Sequence, residues 1–339
     1  MKILPEDIFF VKELFSCFEK ENIAFCILRN SDELMHGDTH DIDMTINFER
    51  CEDVILLIKK ISSMNGWKIH YFSEKDNGNL LAIHLYKIVD GKPVLIHFDF
   101  FREFGWKGYK LISNKLLLSN RKKNGWLYEA DLAVQAVTML FSRYLYHGYI
   151  KEKYRTFIHL IFKNQVPEVE KIMMEFLPTE FTKCIIEDVI SANWENIEQE
   201  RTVVIKAIKN RLSNSQKYVN QKILLFNIKR IRKCTGAAVV VRGGKNYLEY
   251  NDYAMQIQKI LERTFSREDV VELYSNLGGG GKCDIQSRLK NHINLSKGKL
   301  IFTDDLNFES NNRIVINISE TSSAEAAINI LDMMSRRYL

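Results

Sequence analysis

The amino-acid sequence predicts an α+β protein in which two strand-and-helix units flank a helical segment. Three observations lead to this prediction: short apolar strands alternate with helices near the start of the chain, helical periodicity alone follows, and the alternation returns near the end. The length of 339 residues exceeds what one hydrophobic core usually supports. We therefore predict an N-terminal unit at 1–118, a helical domain at 119–215, a basic linker at 216–233 and a C-terminal α/β unit at 234–339.

The N-terminal unit begins with a helix and a strand. Residues 6–20 place phenylalanine and leucine at helical spacing, and the apolar stretch IAFCILRN follows as a strand. A second strand, DIDMTINF, precedes the amphipathic helix CEDVILLIKKISSMNG, and the strand WKIHYFSE comes next. The stretch LLAIHLYKIVDGKPVLIHFDFF predicts a β-hairpin that turns at Asp90 and Gly91, because Asp-Gly between two apolar runs favours a tight turn.

The middle of the chain has a helical pattern from Glu129 to about Leu212, with almost no strand signal. Between Lys206 and Lys233 lie nine basic residues and no acidic one. We interpret this basic segment as a linking helix with a solvated face; the alternatives are a surface for anionic membrane, for a polyanionic acceptor or for nucleic acid.

The C-terminal unit shows the alternation of strands and helices again. A glycine-rich loop at 278–281 interrupts it. The predicted strands are 237–241, 270–274, KLIFTD and RIVINI, and the predicted helices are about 252–265 and 322–338.

Composition limits the classes of partner and the compartment. Lysine and arginine exceed aspartate and glutamate by only 48 to 43, so no nucleic-acid partner is required. The six cysteines are widely spaced without metal-ligand patterns, which is typical of reduced thiols. The start MKILPEDIFF lacks the apolar segment of a signal peptide, and no run approaches the roughly 18 apolar residues of a membrane span. We expect a cytoplasmic protein with no transmembrane segment.

The second strand carries two acids on one side. Side chains alternate across a strand, so Asp41, Asp43 and Thr45 share one face while the apolar residues between them share the other. Two neighbouring carboxylates repel each other unless a divalent cation neutralises them. Magnesium usually takes one or two carboxylates plus substrate phosphates, so the acidic face predicts a metal site.

A third acid occurs in the hairpin. The stretch VLIHFDFF places Asp99 in a strand that is otherwise mostly apolar. If this strand lies beside that of Asp41 and Asp43, three carboxylates converge, which is enough for two metal ions. Asp99 would then lie near the nucleophile and could act as its base. The alternative is that Asp41 is a solvated turn residue or a helix-capping acid, since D-x-D alone is a common pattern.

These residues resemble a family. The order of strand, polar turn, DIDM, helix and a later strand with a third acid resembles the nucleotidyltransferase superfamily related to DNA polymerase beta. More narrowly, FCILRNSDEL, HDIDMTI, VLIHFDFFREFGWKG and LYHGYIKEKY resemble bacterial proteins associated with surface-polysaccharide genes, which join such a domain to helices and a thymidylate-kinase-like segment. The resemblance implies a nucleotidyltransferase-like mixed sheet, a helical middle domain and a P-loop-kinase-like α/β unit at the C-terminus.

The resemblance also implies a cofactor and its ligands. Asp41 and Asp43 match the family's metal-binding pair and Asp99 its third acid, so these three residues are the expected catalytic and Mg²⁺-binding residues.

Nucleotide-binding residues follow from the same resemblance. The family's usual Gly-Ser or Gly-Gly after the first strand is replaced here by Arg29, Asn30 and Ser31. We expect these three residues to contact phosphate, although Arg29 could equally form an ordinary salt bridge. Lys153 is expected to bind the nucleotide, because the helices after such a core commonly close over it.

The C-terminal unit has two glycine stretches, VVVRGGKNYLEYN and LYSNLGGGGKCD, but neither is a P-loop. That motif needs G-x-x-x-x-G-K followed by Ser or Thr. Lys245 is preceded at the first glycine position by Val239 and followed by Asn246, and Lys282 is followed by Cys283. The resemblance therefore implies a degenerate kinase-like unit without kinase chemistry.

We expect a magnesium-dependent nucleotidyltransferase that moves a nucleoside monophosphate from a nucleoside triphosphate to a hydroxyl-bearing acceptor, such as a surface-glycan precursor. The alternative is a non-catalytic nucleotide-binding or scaffold protein in which both α/β units have decayed. A third hypothesis, an antitoxin-like or tRNA-modifying nucleotidyltransferase, requires the basic segment to bind RNA.

Overall fold

The protein is described from a computed structural model, which covers residues 5–39, 41–75, 78–212, 237–242, 247–261, 270–274, 300–303 and 313–335. The fold is mixed α+β, as the sequence predicts. The described residues form two compact units. One unit draws them from Met1–Asn65, Glu74–Ala82 and His97–Leu224, and the other from Gly66–Ser73, Ile83–Ile96 and Leu225–Leu339.

The elements are numbered in chain order. The helices are α1 (Pro5–Lys20), α2 (Ser31–Met35), α3 (Cys51–Met64), α4 (Asn114–Leu118), α5 (Leu132–His147), α6 (Glu152–Asn164), α7 (Val166–Met173), α8 (Thr179–Ile190), α9 (Trp194–Gln199), α10 (Arg201–Arg211), α11 (Tyr247–Leu261) and α12 (Ser323–Ser335). The strands are β1 (Phe25–Ile27), β2 (Asp41–Ile46), β3 (Lys68–Lys75), β4 (Leu80–Val89), β5 (Lys92–Phe101), β6 (Phe104–Trp106), β7 (Tyr109–Ile112), β8 (Lys122–Asn124), β9 (Leu127–Glu129), β10 (Ala237–Arg242), β11 (Val270–Tyr274), β12 (Leu300–Thr303) and β13 (Arg313–Asn317). None of these helices is both long enough and apolar enough to cross a bilayer.

Helix α1 buries one apolar stripe. Phe10, Leu14 and Phe18 lie four residues apart and are all buried, so they occupy the same face of the helix. The ring of Phe10 meets that of Phe98 in β5 edge to face, with centroids 6.4 Å apart. The helical spacing of the phenylalanines in the sequence therefore corresponds to the core-facing side of α1.

A mixed seven-stranded sheet has the order β3-β4-β5-β2-β1-β9-β8. Strand β1 pairs antiparallel with β2, and β2 pairs in parallel with β5. The hairpin of β4 and β5 turns at Asp90 and Gly91, both with positive φ as in a type I′ turn. The predicted hairpin is therefore confirmed, and the condition for the three acids to converge, that their two strands are neighbours, is met.

The N-terminal sheet does not end at the predicted boundary of residue 118. Strand β9 pairs in parallel with β1, and β8 pairs antiparallel with β9. Both strands have only three residues, too few for an alternating pattern to be visible in the sequence. The one local signal is the Asn124-Gly125 dipeptide at their turn, where Gly125 has a positive φ.

The predicted helical domain shares a hydrophobic core with the N-terminal part. Cys26 of β1 and Leu28 just after it belong to one buried cluster. The same cluster contains Val137 and Phe141 of α5 and Phe176, which follows α7. Because α5 is apolar almost all round, it lies inside this unit and not on its surface. The segment 119–215 is thus helical after β9 but is not a separate compact unit.

The second unit contains a four-stranded sheet in the order β11-β12-β10-β13, with every pair parallel. Asp332 of α12 accepts hydrogen bonds from Tyr86 Oη and from Lys68 Nζ, the latter at 2.6 Å. The parts of β3, β4 and β5 that lie in Gly66–Ser73 and Ile83–Ile96 therefore belong to the same compact unit as the C-terminal segment. The predicted linker 216–233, the glycine loop 278–281, Lys245 and Lys282 lie outside the described residues.

Candidate active site

Three aspartates lie on one face of two neighbouring parallel strands. In the register of β2 and β5, Asp43 is opposite Asp99 and Asp41 is opposite His97. Since Asp41 and Asp43 are two residues apart on β2, their side chains leave the sheet on the same side as that of Asp99. The three predicted catalytic residues are brought together in this way.

Two carboxylates of the trio, those of Asp41 and Asp99, are in a setting that disfavours their negative charge. Burial and the neighbouring carboxylates of Asp41 and Asp43 raise the pKa of Asp99 to about 7. Asp41, the first residue of β2, keeps solvent contact on one side. Burial of its carboxyl group among neighbouring atoms and repulsion from Asp43 nevertheless raise the pKa of Asp41 to about 6. Burial and the proximity of the three carboxylates therefore both favour the protonated forms of Asp41 and Asp99.

Arg29 supplies the main counter-charge to the trio. Its Nε and Nη2 donate hydrogen bonds to Oδ2 and Oδ1 of Asp43, at 2.5 and 2.9 Å. A third bond runs from Nη1 to Ser142 Oγ on α5, at 3.1 Å. Asp43 is only 3% exposed, so this bidentate pair is largely removed from water. Of the two alternatives open for Arg29 in the sequence, the structure shows the salt bridge.

Several further cations surround the carboxylates. Lys75, at the end of β3, acts electrostatically on both Asp41 and Asp99. Burial and repulsion from Arg143, Arg29 and Lys153 lower the pKa of Lys151. Positive charges close enough to disfavour one another are a typical feature of a site that receives an anion.

A cavity of about 370 Å³ opens over Asp43 and Asp99. Strand ends and loops of the sheet form one wall, and the last two turns of α5 form the other. The polar and charged residues that line it are Arg29, Asp43, Lys75, Asn79, Asp99, Glu103, Ser142, Arg143, Tyr146 and His147. Asp41 lies beside this cavity on β2, outside its lining.

The other predicted nucleotide-binding residues are placed differently. Asn30 has a left-handed backbone conformation, with φ of 61°, and precedes α2, whose first residue Ser31 is buried. Neither residue lines the cavity. Lys153 Nζ lies 3.2 Å from Glu33 Oε1 of α2, so its charge is partly neutralised at the surface. Among the predicted phosphate contacts, Arg29 alone reaches the cavity.

The C-terminal end of α5 is fixed beside the cavity by Arg201 of α10. The Arg201 guanidinium donates to the carbonyl oxygens of Tyr144, Leu145 and Tyr146, at 2.9, 2.8 and 3.1 Å. Tyr144 O also accepts from Gly148 N–H. The last carbonyl groups of a helix carry the negative end of its dipole, so a guanidinium there stabilises the last turn. Gly148 then ends the helix with φ of 82°.

The chemistry of the carboxylates suits magnesium, since Mg²⁺ prefers carboxylate oxygens. Within the described ranges, however, no group of three or more His, Cys, Asp or Glu side chains is arranged as a metal-binding cluster. Arg29 engages both oxygens of Asp43 instead. The donor set therefore fits the ion chemically, on the condition that Arg29 releases Asp43.

Sequence reasoning did not identify Lys75, Ser142, Arg143 or His147 as site residues. Lys75 is one charged residue among several at the end of a strand, so nothing in the sequence distinguishes it. The other three lie in a helix whose pattern is typical of a core helix. The one available signal was the change from apolar to polar residues in the last two turns of α5. Their convergence depends on long-range packing, which no local pattern records.

No protein-family model, curated protein or solved structure matches this chain.

Proposed function

We propose that this protein is a magnesium-dependent nucleotidyltransferase. It would transfer a nucleoside monophosphate from a nucleoside triphosphate to a hydroxyl-bearing acceptor and release pyrophosphate. The observation that carries the proposal is the register of β2 and β5, which sets Asp43 opposite Asp99 on the face that also bears Asp41. This acidic face adjoins a ring of cations, and a magnesium nucleotide needs both.

Asp41, Asp43 and Asp99 are the residues that would hold the metal. Bound Mg²⁺ would supply Lewis-acid stabilisation of the charge that develops on the departing pyrophosphate. A bound cation would also offset the burial and the repulsion between carboxylates that raise the pKa values of Asp41 and Asp99.

Asp99 has a second role as the proton acceptor. Its carboxylate lines the cavity opposite Asp43, where an acceptor hydroxyl bound over this face would meet it. The acceptor hydroxyl oxygen forms a bond to the α-phosphorus while the bond from that phosphorus to the β-phosphate bridging oxygen breaks. The hydroxyl proton passes to Asp99, and pyrophosphate leaves with the bonding electrons.

The triphosphate is bound by the cations around the cavity. Arg29, Lys75 and Arg143 line it, and Lys151 lies within electrostatic range of Arg29 and Arg143. Arg29 forms a salt bridge with Asp43. Release from Asp43 would make the Arg29 guanidinium available to a phosphate, which it can bind with the same bidentate geometry.

The direct test is pyrophosphate release by the full chain with each nucleoside triphosphate, Mg²⁺ and a pool of polyol and sugar-phosphate acceptors. Asp41→Asn, Asp43→Asn and Asp99→Asn should each reduce turnover at least 100-fold, on the order expected for loss of an electrostatic group at a transition state. Asp53→Asn is the matched control, because Asp53 pairs with Arg50 at the surface of α3. Wild-type turnover by the Asp41 and Asp43 variants would rule the function out.

One observation favours a second candidate, a non-catalytic nucleotide-binding or scaffold protein. The bidentate pair of Arg29 and Asp43 already satisfies a carboxylate that the transferase reaction needs for metal. If this pair is permanent, nucleotide could bind to the cations without reacting. Calorimetry with and without Mg²⁺, combined with the pyrophosphate assay, separates the candidates, because only the transferase requires the metal and releases pyrophosphate.

The finer assignments of the fold are also part of the proposal. We infer a nucleotidyltransferase-like arrangement for the sheet around Asp41, Asp43 and Asp99, which the mixed strand order β5-β2-β1 supports. The all-parallel sheet of β10 to β13 supports a kinase-like α/β unit at the C-terminus. A surface-glycan precursor remains the proposed acceptor class.

A further inference from the structure

Three aromatic side chains lie close together at the end of α5. Tyr146 is 42% exposed and Tyr149 is 44% exposed, and the exposed His147 lies between them. The His147 ring centroid is 6.4 Å from that of Tyr146 and 6.0 Å from that of Tyr149. The ring planes are tilted against one another by 44° and 39°, and the exposed part of each ring is a surface on which a flat ligand can stack.

This aromatic row borders the catalytic cavity. Tyr146 and His147 line it together with Asp43 and Asp99. Arg143 lines it as well, and its Nη1 lies 3.2 Å from His147 Nε2. The row therefore lies next to a cation that can bind phosphate.

The row is held in place before any ligand arrives. Arg201 bonds the three successive carbonyl groups that precede His147, and Gly148 N–H bonds the carbonyl oxygen of Tyr144. Ser142, one turn earlier in α5, accepts from Arg29. Because these bonds fix the backbone at the end of α5, that backbone loses little conformational entropy when a ligand binds.

We propose that Tyr146, His147 and Tyr149 form the subsite for the base of the nucleotide. This inference rests on the proposed function and adds the chemical class of the ligand, a nucleobase stacked on aromatic side chains. Arg143 contacts the row and lines the same cavity as the carboxylates, so a nucleotide can set its base on the row and its phosphates over Asp43 and Asp99. Every base has a π-face, so this platform accepts bases with little selectivity.

The experiment compares two ligands on the full chain with Mg²⁺, by calorimetry: each nucleoside triphosphate, and inorganic tripolyphosphate, which has no base. Tyr146→Ala and Tyr149→Ala should weaken nucleotide binding about 5- to 100-fold, the range for loss of one base-stacking partner. Tripolyphosphate binding should stay within about twofold of wild type, because its contacts are with the cations.

Phe9→Ala provides the matched control, because Phe9 is an exposed aromatic residue of α1 that does not line the cavity. Equal losses for nucleotide and tripolyphosphate, or no loss for either, would overturn the subsite while leaving the proposed function intact. If wild type binds tripolyphosphate but gains no affinity from any base, the subsite is again wrong. If wild type binds neither ligand, the proposed function fails and the subsite fails with it.

Discussion

The guanidinium group of Arg29 binds both carboxylate oxygens of Asp43, at 2.5 and 2.9 Å, although the two residues lie fourteen positions apart in the chain. The pair is almost closed off from water on the Asp43 side, where exposure is 3%. Removing one partner of such a pair leaves a buried charge without compensation. The relationship therefore matters for both stability and metal binding.

The first prediction concerns the stability of this pair. Arg29→Ala should lower the free energy of unfolding by about 3 kcal/mol, because Asp43 is left charged and buried. The double variant Arg29→Ala with Asp43→Asn should recover most of that loss, since no charge is then stranded. Urea unfolding of the single and double variants measures the coupling. Additive losses would show that the two side chains act independently.

The same pair predicts a metal effect. If Arg29 competes with Mg²⁺ for Asp43, Arg29→Gln should bind Mn²⁺, used as a spectroscopic substitute for Mg²⁺, more tightly than wild type in the absence of nucleotide. A gain of about tenfold corresponds to removal of roughly 1.4 kcal/mol of competition. Electron paramagnetic resonance of free Mn²⁺ measures the affinity. Equal affinities of wild type and Arg29→Gln for Mn²⁺ would mean that Arg29 does not compete with the metal ion for Asp43.

A pH dependence follows from Asp99. Its pKa is raised from 3.8 to about 7 in the folded protein, so the folded state holds the proton more tightly than the unfolded chain does. The free energy of unfolding should therefore fall as the pH rises from about 4 through about 7. Below about pH 4 Asp99 is protonated in both states, so its titration no longer changes the stability.

Asp99→Asn tests this dependence, because it removes the titrating group. In metal-free buffer, wild type should lose on the order of 2 kcal/mol of unfolding free energy between about pH 5 and pH 8, and the variant should lose clearly less. Urea unfolding at both values gives the comparison. An equal loss in the two proteins would place the titration elsewhere.

Phosphate binding should depend on the cations that line the cavity. Lys75→Ala and Arg143→Ala should each weaken binding of inorganic tripolyphosphate about tenfold, because each removes a charge-assisted hydrogen bond of roughly 1.5 kcal/mol. Lys123→Ala, which removes an equal charge paired with Glu19 at the surface, should have no such effect. Calorimetric titration of each variant with tripolyphosphate at two salt concentrations gives the comparison. If the loss of affinity reflected only the lower net charge, Lys123→Ala would lose as much affinity as the cavity variants.

Gly148 should be intolerant of a side chain. Its φ is 82°, and a Cβ there would lie 3.0 Å from Arg201 Cδ, a side chain that can move only by giving up its bonds to the α5 carbonyls. We expect Gly148→Ala to lower stability by about 2 kcal/mol and to weaken nucleotide binding by shifting the aromatic row.

Gly91→Ala separates backbone strain from this contact. Gly91 also has a positive φ, of 70°, but nothing lies within 4 Å of the position that a Cβ would occupy. The substitution should lower stability by about 1 kcal/mol and leave nucleotide binding unchanged. Thermal unfolding and calorimetry of both variants are sufficient. Identical behaviour would mean that the contact with Arg201 contributes nothing.

Local geometry accounts for most of the longer elements and for the acidic face. The four-residue spacing of Phe10, Leu14 and Phe18 requires one side of a helix to be buried, and the two-residue spacing of Asp41 and Asp43 requires both to leave their strand on the same side. These are consequences of local geometry, so they hold whatever the chain packs against. The turn at Asp90 and Gly91 is local in the same sense.

Long-range packing determines which groups meet. The parallel pairing of β2 with β5 set Asp43 opposite Asp99, and the packing of α5 brought Ser142 and Arg143 to the same cavity from a distant part of the chain. It also decided that Arg29 pairs with Asp43, and that β9 extends the sheet beyond residue 118. Such contacts depend on the burial of distant apolar surfaces against one another, and the periodicity of a single segment contains no information about its partner.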